Sequence, residues 1–448
     1  MERMSSWGSA VSRVSLSVSQ KVDDDDAESE RVSEAGDIGD RALHGPRHSE
    51  SSSLRLSLDS TQESGVVCIP GDHELHLQQN LASLNYVYSV TPLEQFPTPV
   101  SISGEVLYQD KKQELDMKLP KLLDYVSCLT QLAVFGVLGV LTRYLLEKLF
   151  GPGVGDVTSN QSILYPDLPS NMVGSFLMGW FGVVFKADIS RVSEHLAIGL
   201  TTGYLGSLTT FSGWNQKMLE LGIAGHWLLS VLGILIGLFL VAFSIIFGVE
   251  TAKGFKWFLN WLNTRPGTGS GNCISKVNWK VDSFIRHLVV TVVFLAMLGL
   301  LWGGASVLER DEFKHGGNAA QLWFACIVGP LGVWIRWFLA RLNGGGIGAG
   351  WLKWLPFGTL IANVSAACVM AALATVKKSV NTTNCDTIVT GIQFGLLGCL
   401  STVSTFAAEF NAMRESVYTW RAYAYAMVTI CLSLCLGILI YCTPLWRM

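Results

Sequence analysis

Gly199-Leu-Thr-Thr-Gly-Tyr-Leu-Gly-Ser-Leu-Thr-Thr-Phe-Ser212 recurs further along the chain as Gly391-Ile-Gln-Phe-Gly-Leu-Leu-Gly-Cys-Leu-Ser-Thr-Val-Ser404, at an offset of 192 residues (391 − 199). The same offset (363 − 171) carries Asn171-Met-Val-Gly-Ser-Phe-Leu-Met178 onto Asn363-Val-Ser-Ala-Ala-Cys-Val-Met370. At an offset of 193 (336 − 143), Gly136-Val-Leu-Gly-Val-Leu-Thr-Arg143-Tyr144 pairs with Gly329-Pro-Leu-Gly-Val-Trp-Ile-Arg336-Trp337. Three segments matching in order imply an internal duplication.

The surroundings of these segments place the duplication in a membrane. Of 448 residues about half are apolar and only 15% are charged, with 45 glycines, and the mean hydropathy is positive. Lipid penalises charge, and this composition belongs to the membrane class. No strongly basic face points to nucleic acid. Ten cysteines are present, but Cys128, Cys326, Cys368, Cys399, Cys431 and Cys435 lie in apolar runs without metal-ligand spacing and read as small core residues.

Residues 1–118 are polar, with Asp23–Asp26 and Ser51–Ser53 as low-complexity patches, and bury too little apolar surface to offset the entropy of ordering. They are expected to form a disordered cytoplasmic tail. Runs long enough to cross about 30 Å of hydrocarbon then fall near 125–147, 168–186, 193–214, 225–248, 285–307, 319–341, 355–376, 387–410 and 420–443.

Basic residues set the orientation. Lys118 and Lys121 precede the first span, Lys186 and Arg191 separate the second and third, and Lys253, Lys256, Arg265, Lys276 and Lys280 follow the fourth, which places those segments in the cytoplasm and the C-terminus outside. The sequons Asn160-Gln161-Ser162 and Asn381-Thr382-Thr383 then fall outside, although Lys377 and Lys378 sit on the wrong side. Four spans per copy plus one linking span put five crossings between equivalent helices, so the second copy is inverted. The expected fold is an all-α integral membrane protein of nine transmembrane helices, two inverted four-helix repeats (119–250 and 319–448) forming a pseudo-dimer. A cytoplasmic linker and a linking helix (251–318) join them.

Inverted repeats place their sites near the midplane, where helices are interrupted. Gly203, Gly206, Ser207, Thr209 and Thr210 mark such a break in the third span, and Gly395, Gly398, Ser401 and Thr402 mark its counterpart.

These residues resemble those of the Fluc fluoride channels and their fused eukaryotic relatives, the FEX fluoride exporters. That signature is a Gly-rich helix ending in Arg-Tyr, then Gly-Thr-Leu and Asn, then Thr-Thr-Phe-Ser-Thr-Phe at a helix break. The second copy carries Gly358-Thr359-Leu360-Ile361-Ala362-Asn363, while the first keeps only the Asn of Pro169-Ser170-Asn171. Thr209 to Trp214 and Ser401 to Phe406 each match in part. The resemblance spans residues 120 to 445. It implies an antiparallel pseudo-dimer with a fluoride path on either side, and a structural sodium ion on the pseudo-two-fold axis, held by the backbone carbonyls of Gly206, Thr209, Gly398 and Ser401.

A fluoride path must replace the ion's water with hydrogen-bond donors. Asn171 and Asn363 each offer an amide with two donors, and the alternative role for both is to tie helices together. Ring edges carry partial positive charge, which makes Phe211, Trp214 and Phe406 candidates. If aromatic pairs form across the repeats as in the family, Phe211 with Phe406 is intact and Trp214 with Val403 is altered, which predicts one conducting path and one vestigial path. Ser212, Ser404 and Thr405, with Ser230 and Ser433, can form a polar track or cap and bend helices. Arg143 and Arg336 are expected near helix ends, as interface anchors or anion attractors, and Glu409 at the cytoplasmic end of the eighth span has no assigned role.

The expected function is passive, fluoride-selective export of the ion across the plasma membrane by a single fused chain. The rivals are an ion-coupled secondary transporter of the same topology, such as a fluoride/proton antiporter or small-solute exporter, and a receptor or scaffold anchored by its helices. Proton coupling needs an intramembrane titratable group, and no Asp or Glu is expected near a midplane. No nucleophile, base and orienter assemble, so the chain is not expected to be an enzyme.

Overall fold

The structure is a computed structural model and describes residues 121–159, 162–263, 284–313, 317–344 and 352–447. The N-terminal tail, Asn160 and Gln161 of the first sequon, and the basic residues Lys118, Arg265, Lys276 and Lys280 lie outside the described residues.

Every described element is helical. Helix α1 (Lys121–Phe150) has Asp124 in its first turn and Lys148 in its last, charges that complement the helix dipole, and it stops where Gly151-Pro152-Gly153 follows, Gly153 at φ +92°. Helix α2 (Leu168–Val184) starts with Pro169 in its first turn, closes in a π-helical stretch, and bends by 67° onto α3 (Lys186–Val192). The next segment is α4 (194–208), capped by the Ser193 hydroxyl, and after a two-residue gap comes α5 (Phe211–Ile223). Helices α6 (Trp227–Asn263) and α7 (Phe284–Phe313) follow. The second half runs α8 (Asn318–Ala340), α9 (Phe357–Val380), α10 (383–400), α11 (Ser404–Arg414) and α12 (Trp420–Trp446). Helix α9 ends at Asn381, which takes the left-handed conformation at φ +43°, as a C-terminal Asn can.

This is an all-α, multi-pass membrane fold. Among the described residues seven helices are long and apolar enough to cross a bilayer, and eight if the bent pair α2–α3 counts as one. The segment expected as the third span is the broken pair α4–α5, whose second half runs to Ile223 rather than ending near residue 214. The helix expected as the fourth span extends well past residue 248, to Asn263, because no proline falls between Ala252 and Asn263 and the single Gly254 is tolerated. Only 11% of the apolar window of α7 is buried, so the linking helix lies on the outside of the bundle against α1 and α8.

Two expectations about buried residues need correction. Cys128, Cys326 and Cys399 are buried, but Cys368 is half-buried and Cys431 and Cys435 are exposed; in lipid the outward face of a span is as apolar as its inward face, so hydropathy does not separate them. Arg143 and Arg336, expected at helix ends, are 0% and 5% exposed. Helix α1 continues for two turns beyond Arg143, which carries the guanidinium into the bundle.

Candidate functional site

The two breaks meet at the centre of the bundle. After Leu208 the backbone becomes extended at Thr209 (φ −99°, ψ 146°) and Thr210 (φ −139°, ψ 128°). After Leu400 it does so at Ser401 (φ −82°, ψ 157°). π-Helical stretches precede both, at Gly199–Leu205 and Gln393–Leu397, and such bulges are frequent at functional sites. An interrupted helix exposes amides and carbonyls that lipid cannot satisfy, so every partner must come from the protein.

The partners come in reciprocal sets. Asn171 Oδ1 accepts from the Thr210 amide at 2.8 Å and its Nδ2 donates to the Thr210 carbonyl at 3.1 Å. Asn363 does the same at Thr402, at 2.8 and 3.0 Å. Each Asn therefore closes a two-bond clamp on the break of its own half, and one of its two amide donors is already spent there. The second donor of Asn171 reaches the Tyr165 hydroxyl at 3.3 Å.

Across the halves the hydroxyls act as exchanged helix caps. Thr209 Oγ1 accepts from the amides of Val403 and Ser404 at 3.1 and 3.0 Å, while Ser401 Oγ accepts from those of Phe211 and Ser212 at 3.2 and 3.1 Å. Ser212 Oγ donates to the Leu397 carbonyl at 3.3 Å and Ser404 Oγ to the Leu205 carbonyl at 3.1 Å. The Thr405 hydroxyl lies 3.4 Å from that of Thr402. Ser and Thr are interchangeable at 209 and 401 because each supplies the same hydroxyl. Ser401→Thr is accordingly expected to leave thermal stability within about 0.5 kcal/mol, whereas Ser401→Ala orphans two buried amides and costs about 2 kcal/mol, both read from denaturation midpoints.

The buried arginines are exchanged in the same way. Arg336 donates from NH2 to the Thr202 carbonyl at 2.5 Å and from NH1 to the Gly206 carbonyl at 2.6 Å and the Ser401 carbonyl at 3.3 Å. Arg143 donates to the Phe394 carbonyl and lies 4.4 Å from the Phe394 ring centroid. A Cβ at Gly206 or Gly398 would overlap the guanidinium of the other half, so a side chain at either position would displace that arginine's head group.

The aromatic residues divide into two environments. Phe406 lies 6.4 Å from Phe211 and 5.1 Å from Tyr425, centroid to centroid. The Tyr425 hydroxyl donates to Glu409 at 2.7 Å, the Thr359 hydroxyl donates to the same carboxylate at 2.6 Å, and the Asn343 amide reaches it at 3.5 Å. Glu409 is fully buried. Farther along α12, Thr429 and Ser433 are buried at four-residue intervals, and Ser433 Oγ has no partner among the described residues. Past them a recess of about 1070 Å³ is lined by Glu220, Lys377, Lys378, Asp386, Gln393 and Tyr441, among others. Lys377 is paired there with Asp386 at 2.6 Å.

Trp214 occupies the second environment. It stacks on Tyr165 at 5.8 Å, meets Phe211 edge-on at 5.9 Å, and covers Gly237 so closely that a Cβ there would lie 2.7 Å from the indole. Met218 covers Gly233 likewise, and Ser230 is spent on the Met218 carbonyl at 2.8 Å. Sequence reasoning missed the cluster of Glu409, Thr359, Tyr425 and Asn343. The available signal was the four-residue spacing of Tyr425, Thr429 and Ser433 in an otherwise apolar helix.

A family model described as CrcB-like protein, Camphor Resistance (CrcB), matches the chain twice, over residues 130–249 and 323–441. The chain is 33% identical over 122 residues to the fluoride-specific ion channel FluC of Geobacter metallireducens, covering 94% of that protein and 27% of this chain. It is 36% identical over 103 residues to the fluoride-specific ion channel FluC 2 of Listeria monocytogenes, covering 69% of that protein and 22% of this chain. No solved structure matches significantly.

Proposed function

We propose, from the fact that this chain belongs to the CrcB-like protein family, that it is a fluoride channel which lets the ion leave the cytoplasm passively. The carrying observation is the double family match, with curated relatives named fluoride-specific ion channels that each align to about a quarter of this chain. The chain is a multi-pass membrane protein and not an enzyme.

Two copies in one chain replace two subunits of a dimer, so a single chain is sufficient for conduction. The reciprocal clamps at Asn171 and Asn363 and the exchanged hydroxyls of Thr209 and Ser401 support two inverted four-helix repeats joined by α7, with the broken pair α4–α5 counted as the ninth span. Cytoplasmic placement of the N-terminus, an external C-terminus and residence in the plasma membrane complete the reading. Neutral HF crosses lipid and dissociates in a neutral cytosol; an inside-negative potential then drives the anion out, at roughly 2.3 kcal/mol per charge per 100 mV.

The path runs past Phe406, whose ring lies between Phe211 and Tyr425, and on to the Ser433 hydroxyl, which has no partner among the described residues. The side holding Trp214 is vestigial, filled by the indole over Gly237. A second reading, proton-coupled export, is favoured by one observation: Glu409 is a titratable group buried within the helix bundle, a feature that proton coupling needs and that was not expected from the sequence.

Fluoride efflux from liposomes holding the purified chain, with chloride as control, separates the two. Voltage-driven, fluoride-selective efflux that is independent of a proton gradient is the expected result. Efflux that requires a proton gradient would transfer the function to the antiporter.

A further inference from the structure

The sodium ion implied by the resemblance needs the carbonyls of Gly206, Thr209, Gly398 and Ser401 free and convergent, and the residues present do not fit that requirement. Two of the four already accept from one nitrogen, since Arg336 NH1 lies 2.6 Å from the Gly206 oxygen and 3.3 Å from the Ser401 oxygen. Those carbonyls come one from each break, so the guanidinium spans the gap a bridging cation would span.

The second nitrogen of the same group ties down the Thr202 carbonyl at 2.5 Å, one turn before Gly206, so the whole end of α4 is anchored. Space is also taken: a Cβ at Gly206 would lie 2.5 Å from Arg336 NH2 and 2.6 Å from Cζ, and one at Gly398 would overlap the Arg143 guanidinium. Each break thus already faces a buried cation. A sodium ion sharing the Gly206 oxygen would sit beside a like charge, where the low dielectric magnifies the repulsion. The arrangement is lopsided as well, because Arg143 bonds the Phe394 carbonyl while its Nε and NH1 have no hydrogen-bond partner among the described residues. Of the two arginines it is Arg336 whose hydrogen bonds reach both breaks, alongside the exchanged hydroxyls.

We propose that the Arg336 guanidinium is this chain's built-in interfacial cation: by bridging the Gly206 and Ser401 carbonyls it holds the two breaks together, so that the protein is stable and conducts without bound sodium. In this role Arg336 is a positioning residue that touches the break backbone and not the permeating ion. The conduction half of the proposal rests on the fluoride-channel reading; the stability half does not.

The test uses the full chain purified with N-methylglucamine in place of sodium. Its melting temperature is followed as sodium or potassium is added up to about 100 mM, a range in which a specific site declares itself by linkage. The expected result is no sodium-specific rise in melting temperature, and fluoride efflux that sodium removal changes by less than twofold. Arg336→Gln is expected to lower the melting temperature and cut efflux at least tenfold, with both recovering in part when sodium or methylguanidinium enters the vacated position. A side chain that merely filled space would show no such recovery.

A wild-type melting temperature that climbs saturably with sodium and not with potassium would overturn the proposal. An Arg336→Gln protein as stable and conductive as wild type in sodium-free buffer would do so equally. Should Arg336→Gln fail to fold, the wild-type titration still decides. Absence of wild-type fluoride efflux in every salt would sink the channel reading alone, leaving the melting series to judge the cation.

Discussion

Phe406→Ala is expected to lower fluoride efflux at least tenfold in reconstituted liposomes, while Trp214→Ala leaves it within about threefold. A tenfold loss corresponds to about 1.4 kcal/mol of barrier, a modest demand on a ring edge that, on the proposed path, meets the ion. Phe406 lies between Phe211 and Tyr425 and one helical turn from Glu409, so its removal alters an aromatic pair that meets the stripe of Tyr425, Thr429 and Ser433. Trp214 touches Tyr165, Phe211 and the bare backbone of Gly237. Truncating either ring also opens a cavity, at a stability cost of about 3–5 kcal/mol. Melting temperatures of both variants therefore accompany the flux, and Phe406→Leu, which restores bulk without ring edges, should fold well yet stay defective. Normal flux in Phe406→Ala together with loss in Trp214→Ala would reverse the assignment of the two paths.

The duplicated breaks were legible in the sequence because they carry unusual chemistry at one spacing. Ser, Thr and Gly clusters inside apolar runs have few explanations other than an interrupted helix, and the extended backbone at Thr209, Thr210 and Ser401 is such an interruption. Asn171 and Asn363 were legible as a matched pair, but their chemistry was only half visible. An amide in a membrane helix can serve an ion or a backbone, and sequence offers no way to choose; both of these bind backbone.

What stayed hidden depends on directions that hydropathy does not encode. Arg143 and Arg336 were read as interface anchors because a charge near the end of an apolar run usually reaches for water. Each instead points into the other half, Arg336 at the Gly206 carbonyl beside the break and Arg143 at the Phe394 carbonyl in the π-helical stretch before it, and these backbone acceptors supply an alternative to solvent. Glu409 was hidden for a related reason. A carboxylate near the end of a span looks solvated until Tyr425 and Thr359, sixteen and fifty residues away in sequence, are seen to donate to it. The lipid-facing Cys431 and Cys435 were indistinguishable from core cysteines because both surroundings are apolar.

Asn363→Asp is expected to abolish fluoride efflux and to destabilise the protein by about 3–5 kcal/mol, the scale on which a buried charge without a partner costs. One carboxylate oxygen can still accept from the Thr402 amide, but the other replaces Nδ2 and faces the Thr402 carbonyl at 3.0 Å, acceptor against acceptor. Acidifying the assay buffer should return part of the stability, because a protonated carboxyl donates to that carbonyl as the amide did; destabilisation that deepens on acidification would refute the clamp. Asn171→Asp meets the same conflict at Thr210. Both variants are therefore expected to lose flux whichever path conducts, since Thr209 and Ser401 cap the helix that begins beyond the opposite break and a slip on one side displaces the other. Equal loss in the two Asn variants, beside unequal loss in Phe406→Ala and Trp214→Ala, is the pattern that a shared central clamp serving a single live path requires.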